Sequence, residues 1–394
     1  MSASSRGSLE LDLRFSQKLY ERSIVPRFGA NGPPSENPKL VIVGGQQGSG
    51  KTTTLSAISD GQLRRETTQR VTVDNLMPLV PGYSQAAAKD SIAAQIAVGA
   101  TPGTWGWQLM ERAFEHRFNA VIELASSSAV NMIALSAKEH GYRVELVAMA
   151  VQRDVSWTSV VSRYERDLST DNADARFIAR NDHDSTYHKW PSGLFAVEAA
   201  RIVDSIALYG RDGALFYDNR LVQGHDGSSN YERAPGAMET MIVQRHRPLD
   251  AEQRSALPAA WDTITKSPAL ARMLPLLMLD FAADRSAVTE HAESDTAKVN
   301  LFDARQTISK EAASAWSQRF ADDIGQAYAA DKELRGNADF KKRLRTLASV
   351  AETLTASAQQ RAASSEPPEP SRANNGETNG SYRPPDSPKR GRSR

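Results

Sequence analysis

"VIVGGQQGSGKTTTLSAI", residues 41–58, passes from a β-branched apolar run through glycines into a lysine and three threonines. Val41, Ile42 and Val43 follow Leu40 as a run too short for a helix and bounded by glycine, which predicts a buried strand. Gly45, Gly50, Lys51 and Thr52 then fit G-x-x-x-x-G-K-[ST]. Glycines let successive backbone N–H groups turn inward around a polyanion with no Cβ in the way. The phosphate-binding set is therefore Gly45, Gln46, Gln47, Gly48, Ser49, Gly50, Lys51, Thr52 and Thr53. Lys51 would reach the β- and γ-phosphates, Thr52 would give its hydroxyl to Mg²⁺, and the helix starting near Lys51 would add its positive end. A glycine-rich turn matched by chance would lack the strand before it and the amphipathic Leu55–Ile58 start after it.

Working outward, apolar segments at Val71–Val73, Ala120–Leu124 and Val144–Val151 alternate with helical stretches, the pattern of a mostly parallel α/β sheet. "IVDSIALYG" and "ALFYDNR", split by Arg211, Asp212 and Gly213, predict a hairpin that ends this fold. Residues 1–37 read as an N-terminal helix that ends before Pro26 and a Gly/Pro loop, and 38–225 as the nucleotide-binding domain. A polar linker, "GHDGSSNYERAPG", leads to an all-helical extension over 236–360, with Trp316, Phe320 and Ile324 at helical spacing. Residues 364–394 hold almost nothing to bury and are expected to be disordered.

Composition narrows the function classes. Lys plus Arg number 48 against 47 for Asp plus Glu, so no global field recruits nucleic acid or an anionic membrane. The absence of cysteine excludes disulfides, thiolate metal sites and a cysteine nucleophile. The first residues, "MSASSRGSLELDLRF", lack a basic region followed by an apolar one, and the apolar stretch near "MLPLLMLDFAA" is far shorter than the roughly 20 residues of a membrane span. A soluble, cytoplasmic protein is expected. The basic "PKRGRSR" at the end reads as a solvated terminus.

A P-loop alone serves many activities, so the residues downstream must choose among them. No N-K-x-D occurs, which weakens a guanine-specific GTPase, and Pro275 inside "MLPLLMLD" makes Asp280 a helix residue and not the end of a strand. Asp74, closing the second strand, should lie at the carboxyl edge of the sheet where open α/β sheets bind ligands. There it would take a proton from an attacking hydroxyl, hold Mg²⁺ through water, or simply cap the segment beginning at Asn75. Glu123, in "NAVIELASSS", would orient an acceptor hydroxyl, assist the metal, or accept bonds from the serines that follow. "SRYERDLSTDNADAR" supplies Arg163, Arg166 and Arg176 for charge on a moving phosphoryl group, with Arg166 the first candidate to face solvent instead. Trp105 and Trp107 suit stacking on a base or sugar, but core packing accounts for them first, since aromatics bury large area.

In order and spacing these motifs resemble the zeta toxin family, the P-loop kinases of bacterial toxin–antitoxin systems. The resemblance covers about residues 38–220: "GGQQGSGKT", Asp74 ahead of Pro81 in "DNLMPLVPGY", "NAVIE", "GYRVELVAMAV", the "RYE" of Arg163–Glu165, the "AR" ending at Arg176, and "DSIALYGRDGALFY". It implies a P-loop kinase fold and an ATP- and Mg²⁺-dependent enzyme that phosphorylates the 3′-hydroxyl of UDP-N-acetylglucosamine. On the family pattern Lys51 and Thr52 bind ATP and Mg²⁺, Asp74 is the base, Arg163 and Arg176 stabilise the transferring phosphate, and Glu123 lies on the substrate side. A cognate antitoxin is the implied protein partner. Gln47 stands where the family usually has proline, and "ELASSS" replaces the family's E-G-T with its nearby arginine, which leaves room for another acceptor such as NAD. From a different class, the same sequence suits a nucleotide-binding interaction protein whose helical half docks a partner.

Overall fold

A computed structural model describes residues 8–61, 63, 67–170, 172, 175–224, 227–293 and 310–365. Seven strands form the sheet: β1 Lys39–Gly44, β2 Thr68–Val71, β3 Asn119–Leu124, β4 Arg143–Met149, β5 Ser205–Tyr209, β6 Leu215–Gln223 and β7 Ser229–Tyr231. They lie in the order β2-β3-β1-β4-β5-β6-β7. The first five are parallel, with Val43 opposite Glu123 on one side and Val147 on the other, and β6 and β7 are antiparallel additions. β1 is central and buried on both faces: Leu40 and Ile42 join one core, Val41 and Val43 another with Leu55, Val121 and Val147. That double burial is why its sequence is a continuous apolar run with no alternation.

Three expectations need correction. The second strand is not Val71–Val73 but Thr68–Val71, and Val73–Asn75 is a 3₁₀ turn, so Asp74 stands just beyond the strand and does not close it. Gln69 disguises this strand: it is wholly buried, yet its amide is satisfied by Ala30 N–H and the Phe28 and Arg70 carbonyls. The "GHDGSSNYERAPG" stretch is not only a linker, since β7 within it extends the sheet. The N-terminal helix does not end before Pro26. α1 Leu13–Leu19, capped by Asp12, continues through a π turn at Tyr20–Ile24 into α2 Val25–Phe28, where Pro26 sits in the first turn and its missing N–H costs little.

The remaining helices of the nucleotide-binding fold are α3 Lys51–Gly61, α4 Tyr83–Ala87, α5 Ser91–Ala97, α6 Thr101–Glu115, α7 Val130–Glu139, α8 Arg153–Ser169 and α9 Arg180–Ala200. On α6, Trp105 is fully buried and donates from its indole to Ser16 Oγ at 3.0 Å, while Trp107 packs half-buried and donates to Glu111. Neither tryptophan lines the main cavity, and both serve packing.

Beyond the sheet come α10 Ala237–Arg245, α11 Ala251–Lys266, α12 Pro268–Met273, α13 Met278–Glu293, α14 Lys310–Ala330 and α15 Ala338–Ser365. Asp280 lies in the first turn of α13. Residues 366–394 of the expected disordered tail fall outside the described residues, and Ser364 and Ser365 complete α15. These helices share cores with the sheet domain. Trp261 and Phe281 pack with Val155, Trp157 and Tyr164 of α8, and Met238 and Ile242 join Phe195 of α9 to Trp316 and Phe340. α11 runs parallel to α8, pinned by Gln152 Nε2 to the Arg247 carbonyl, the Trp261 indole to Thr158 Oγ1 at 2.8 Å, and Ser267 to Glu165.

Candidate functional site

The loop between β1 and α3 turns sharply because its glycines take conformations that a Cβ would oppose. Gly48 has φ +75°, and a Cβ there would run into the Ser156 carbonyl at the start of α8. The loop is also braced from behind. Gln46 is fully buried; its amide donates to the Val151 carbonyl and Ser156 Oγ and accepts from Arg245 Nη2 at 2.9 Å. Arg245 belongs to α10, donates to the Tyr187 carbonyl and lies 4.0 Å from the Tyr187 ring centroid. Ser156 in turn meets His183 Nε2 at 2.9 Å, and His183 Nδ1 meets Asp184 at the same distance. This serine–histidine–aspartate chain resembles a nucleophilic triad, but Ser156 and His183 are fully buried and outside the main cavity, so it acts as a strut.

A cavity of about 1060 Å³ opens in front of the loop. Gln47, Gly48, Gly50, Lys51, Thr52 and Thr53 line it, whereas Gly45, Gln46 and Ser49 do not. Lys51 is 5 % exposed and donates to the Gln46 carbonyl at 2.9 Å, with Glu123 at 3.8 Å. Burial pulls its pKa down, and the carboxylates of Glu123 and Asp74 oppose that shift. Thr52 Oγ1 donates to Glu123 Oε2 at 3.0 Å. Glu123 thus faces the loop and not the serines after it: Ser126 bonds Ser128, and Ser127 bonds the Lys189 carbonyl.

Asp74 projects into the same cavity and is ion-paired with Arg176 Nη2. Arg163, on α8, lines the wall beside them; burial first and Arg176 second lower its pKa, with Asp74 and Glu123 acting the other way. Arg176 itself is only 13 % exposed, clamped also against Met77 Sδ. The geometry brings Lys51, Asp74, Glu123, Arg163 and Arg176 together although they are scattered over more than a hundred residues. Arg166 is exposed at the rim of the cavity.

Two groups of wall residues were not singled out from sequence. Arg211, in the β5–β6 turn, reaches back to the Gly48 carbonyl at 3.4 Å and to Ser159 Oγ. A Gly-containing hairpin at the sheet edge was visible, but nothing in it signalled contact with the loop. Asp250, Glu252, Gln253, Ala256, Leu257 and Ala260 of the helical extension form a further wall.

The donor set also bears on a metal. Among the described residues no group of three or more His, Cys, Asp or Glu side chains is placed to hold an ion. The hydroxyl–carboxylate pair of Thr52 and Glu123 nevertheless fits Mg²⁺, which takes oxygen ligands, commonly uses few from protein and completes its shell with water and substrate phosphates.

A glycine loop between the central strand and its helix, at the carboxyl edge of a parallel sheet, defines the P-loop kinase fold. Residues 28–222 match the family model described as Zeta toxin. That segment is a zeta toxin family domain, and the members of the family are kinase-like phosphotransferases. Toxin zeta of Streptococcus agalactiae is 26 % identical over 215 residues, covering 52 % of this chain and 72 % of that protein. Toxin PezT of Streptococcus pneumoniae serotype 4 is 26 % identical over 191 residues, covering 47 % and 74 %. A solved structure from work on the PezAT chromosomal toxin-antitoxin system of Streptococcus pneumoniae aligns with a TM-score of 0.45 at 19 % identity, over 53 % of this chain and 82 % of that one. No helix among the described residues is long and apolar enough to cross a membrane.

Proposed function

We propose that this protein is an ATP-dependent kinase that transfers the γ-phosphoryl group to the 3′-hydroxyl of UDP-N-acetylglucosamine. The observation that carries this is the convergence of Asp74, Arg163 and Lys51 in one cavity with the P-loop, with Arg176 ion-paired to Asp74 from outside the cavity lining. The acceptor oxygen attacks the γ-phosphorus, the bond from that phosphorus to the β–γ bridging oxygen breaks, and ADP leaves. Asp74 takes the hydroxyl proton, the role a carboxylate at this edge can perform. Lys51, Arg163 and Arg176 neutralise the charge on the moving group. Thr52 and Glu123 would hold Mg²⁺, which supplies charge neutralisation on the phosphates when bound. The ion pair with Arg176 aims the Asp74 carboxylate, and Arg176 must share its guanidinium between it and the phosphoryl oxygens.

The acceptor class has one competitor. Leu124 and Ala125 line the cavity where the family carries a glycine and a nearby arginine, so the acceptor wall is more apolar than the family pattern. That favours, as a second possibility, a different nucleotide-linked hydroxyl such as the ribose of NAD. A small cognate antitoxin is the protein partner proposed by analogy with the toxins it resembles. A panel of UDP-sugars and dinucleotides with labelled ATP separates the acceptors, and absence of transfer to every UDP-sugar removes the first. Asp74→Asn should lower transfer by roughly 10²–10⁴-fold while ATP binding persists. If Asp74→Asn retains the full biological effect, the protein is a nucleotide-dependent interaction module instead of a kinase.

A further inference from the structure

The helical extension lies outside the segment matched to the family, yet it reaches the main cavity. Its position can be assigned to one end. If the proposed phosphotransfer holds, the γ-phosphoryl group lies where Lys51, Asp74, Arg163 and Arg176 converge, on the β2 side of the loop. The rest of the donor then runs the other way, past Gly48 toward β5 and Arg211, which bonds the Gly48 carbonyl. α8 spans both ends, with Ser159 bonded to Arg211 and Arg163 beside Asp74. Because α11 is parallel to α8, its first turns face the Arg211 end.

The chemistry of that wall is wrong for phosphate and right for a nucleoside. Asp250 and Glu252 would repel a polyphosphate at close range but accept hydrogen bonds from ribose hydroxyls. Ala256 and Leu257 offer small apolar area to the face of a base. Gln253 accepts from the Asp250 N–H at 3.1 Å through its oxygen, leaving its amide nitrogen as a donor to a ring nitrogen or carbonyl. The wall is held in place independently of any ligand by the Asp250–Gln253 capping box and by the buried Trp261. We infer that α11 is the nucleoside wall of the phosphate-donor site, so that the extension completes the donor pocket.

The inference rests on the proposed kinase function, and a pair of probes separates the two. ATP and inorganic tripolyphosphate are titrated against the full chain, its Ala256→Trp variant and Lys51→Ala. Ala256 is exposed to the cavity, so the indole fills donor space without entering the core. The expected result is a Kd for ATP raised about tenfold or more in Ala256→Trp, the equivalent of roughly 1.4 kcal/mol. Tripolyphosphate should stay within about twofold of wild type, and Lys51→Ala should lose both ligands. Ala256→Leu, a residue that helices accept readily, should move ATP in the same direction by less, and covers the case in which the tryptophan variant fails to fold. An unchanged ATP Kd in a folded Ala256→Trp overturns the inference, as does equal weakening of both probes, which would mean that α11 acts through the loop. Wild type that binds tripolyphosphate as tightly as ATP overturns it while leaving phosphate binding intact. Wild type that binds neither overturns the kinase proposal as well.

Discussion

At the scale of single residues, the proposed phosphotransfer gives the proton to Asp74 and the charge to Arg176. Arg176 is held against Asp74 and Met77, so its guanidinium loses little freedom on meeting a phosphoryl group. Arg176→Ala is expected to lower kcat about 10²–10³-fold with a much smaller change in ATP affinity, checked by steady-state kinetics beside direct ATP titration. Gly48 is the residue on which the loop's shape turns. With φ at +75° and the Ser156 carbonyl pressed against it, Gly48→Ala combines a left-handed backbone penalty of roughly 1–2 kcal/mol with a backbone clash. Nucleotide binding should be lost before the fold is, which ATP titration and a melting curve on the same sample would separate. The glycine was legible from the motif; the carbonyl that makes it obligatory comes from α8, more than a hundred residues away.

At the scale of elements, the α8–α11 pair couples the two halves of the chain. Trp261 is wholly buried between them and its indole N–H is satisfied by Thr158 Oγ1 at 2.8 Å. Trp261→Ala should destabilise the protein by about 3–5 kcal/mol, the cost of an unfilled aromatic cavity, and the loss should appear as one cooperative urea transition because α8 belongs to the sheet domain. A second, separate transition for the extension would contradict that coupling. The helical spacing of residues 236–360 was readable, since amphipathic periodicity is local. Which face met which partner was not, because an apolar stripe says only that something covers it.

At the scale of the whole molecule, a buried polar chain links the extension to the loop: Arg245 to Gln46, Gln46 to Ser156, Ser156 to His183, and His183 to Asp184. Burial lowers the pKa of His183, and the Asp184 carboxylate only partly offsets it, so the imidazole is neutral in the fold. In the unfolded chain it takes up a proton near the ordinary value of about 6.5. The unfolded state therefore binds more protons below that pH, and this part of the stability is complete above it and declines as pH falls through it. Asp184 acts lower on the scale: burial opposes its charge, but hydrogen bonds from His183 and Arg153 outweigh burial and hold its carboxyl below the usual range. Its contribution persists above the ordinary carboxylate pKa and is lost as pH falls further. Melting temperature should drop between about pH 7 and 5.5, and His183→Gln should flatten that segment of the profile.

The sequence alone determined the strand–loop–helix that holds phosphates, the α/β class, the hairpin and the identity of Lys51, Thr52, Asp74, Glu123, Arg163 and Arg176 as site candidates. Most are written in local pattern, a motif of fixed spacing, a burial period or a charged residue just after an apolar run, whereas Arg163 and Arg176 stood out as arginines in one charged stretch and through the resemblance to the family. Tertiary structure alone decided that β2 ends before Asp74, that Glu123 answers to Thr52 and Lys51, that Gln46 turns away from the cavity into a strut, and that Arg211 and α11 wall the cavity. Those outcomes depend on contacts between segments far apart in the chain, where the free energy of packing and of satisfying buried polar groups, not the local sequence, selects the partner.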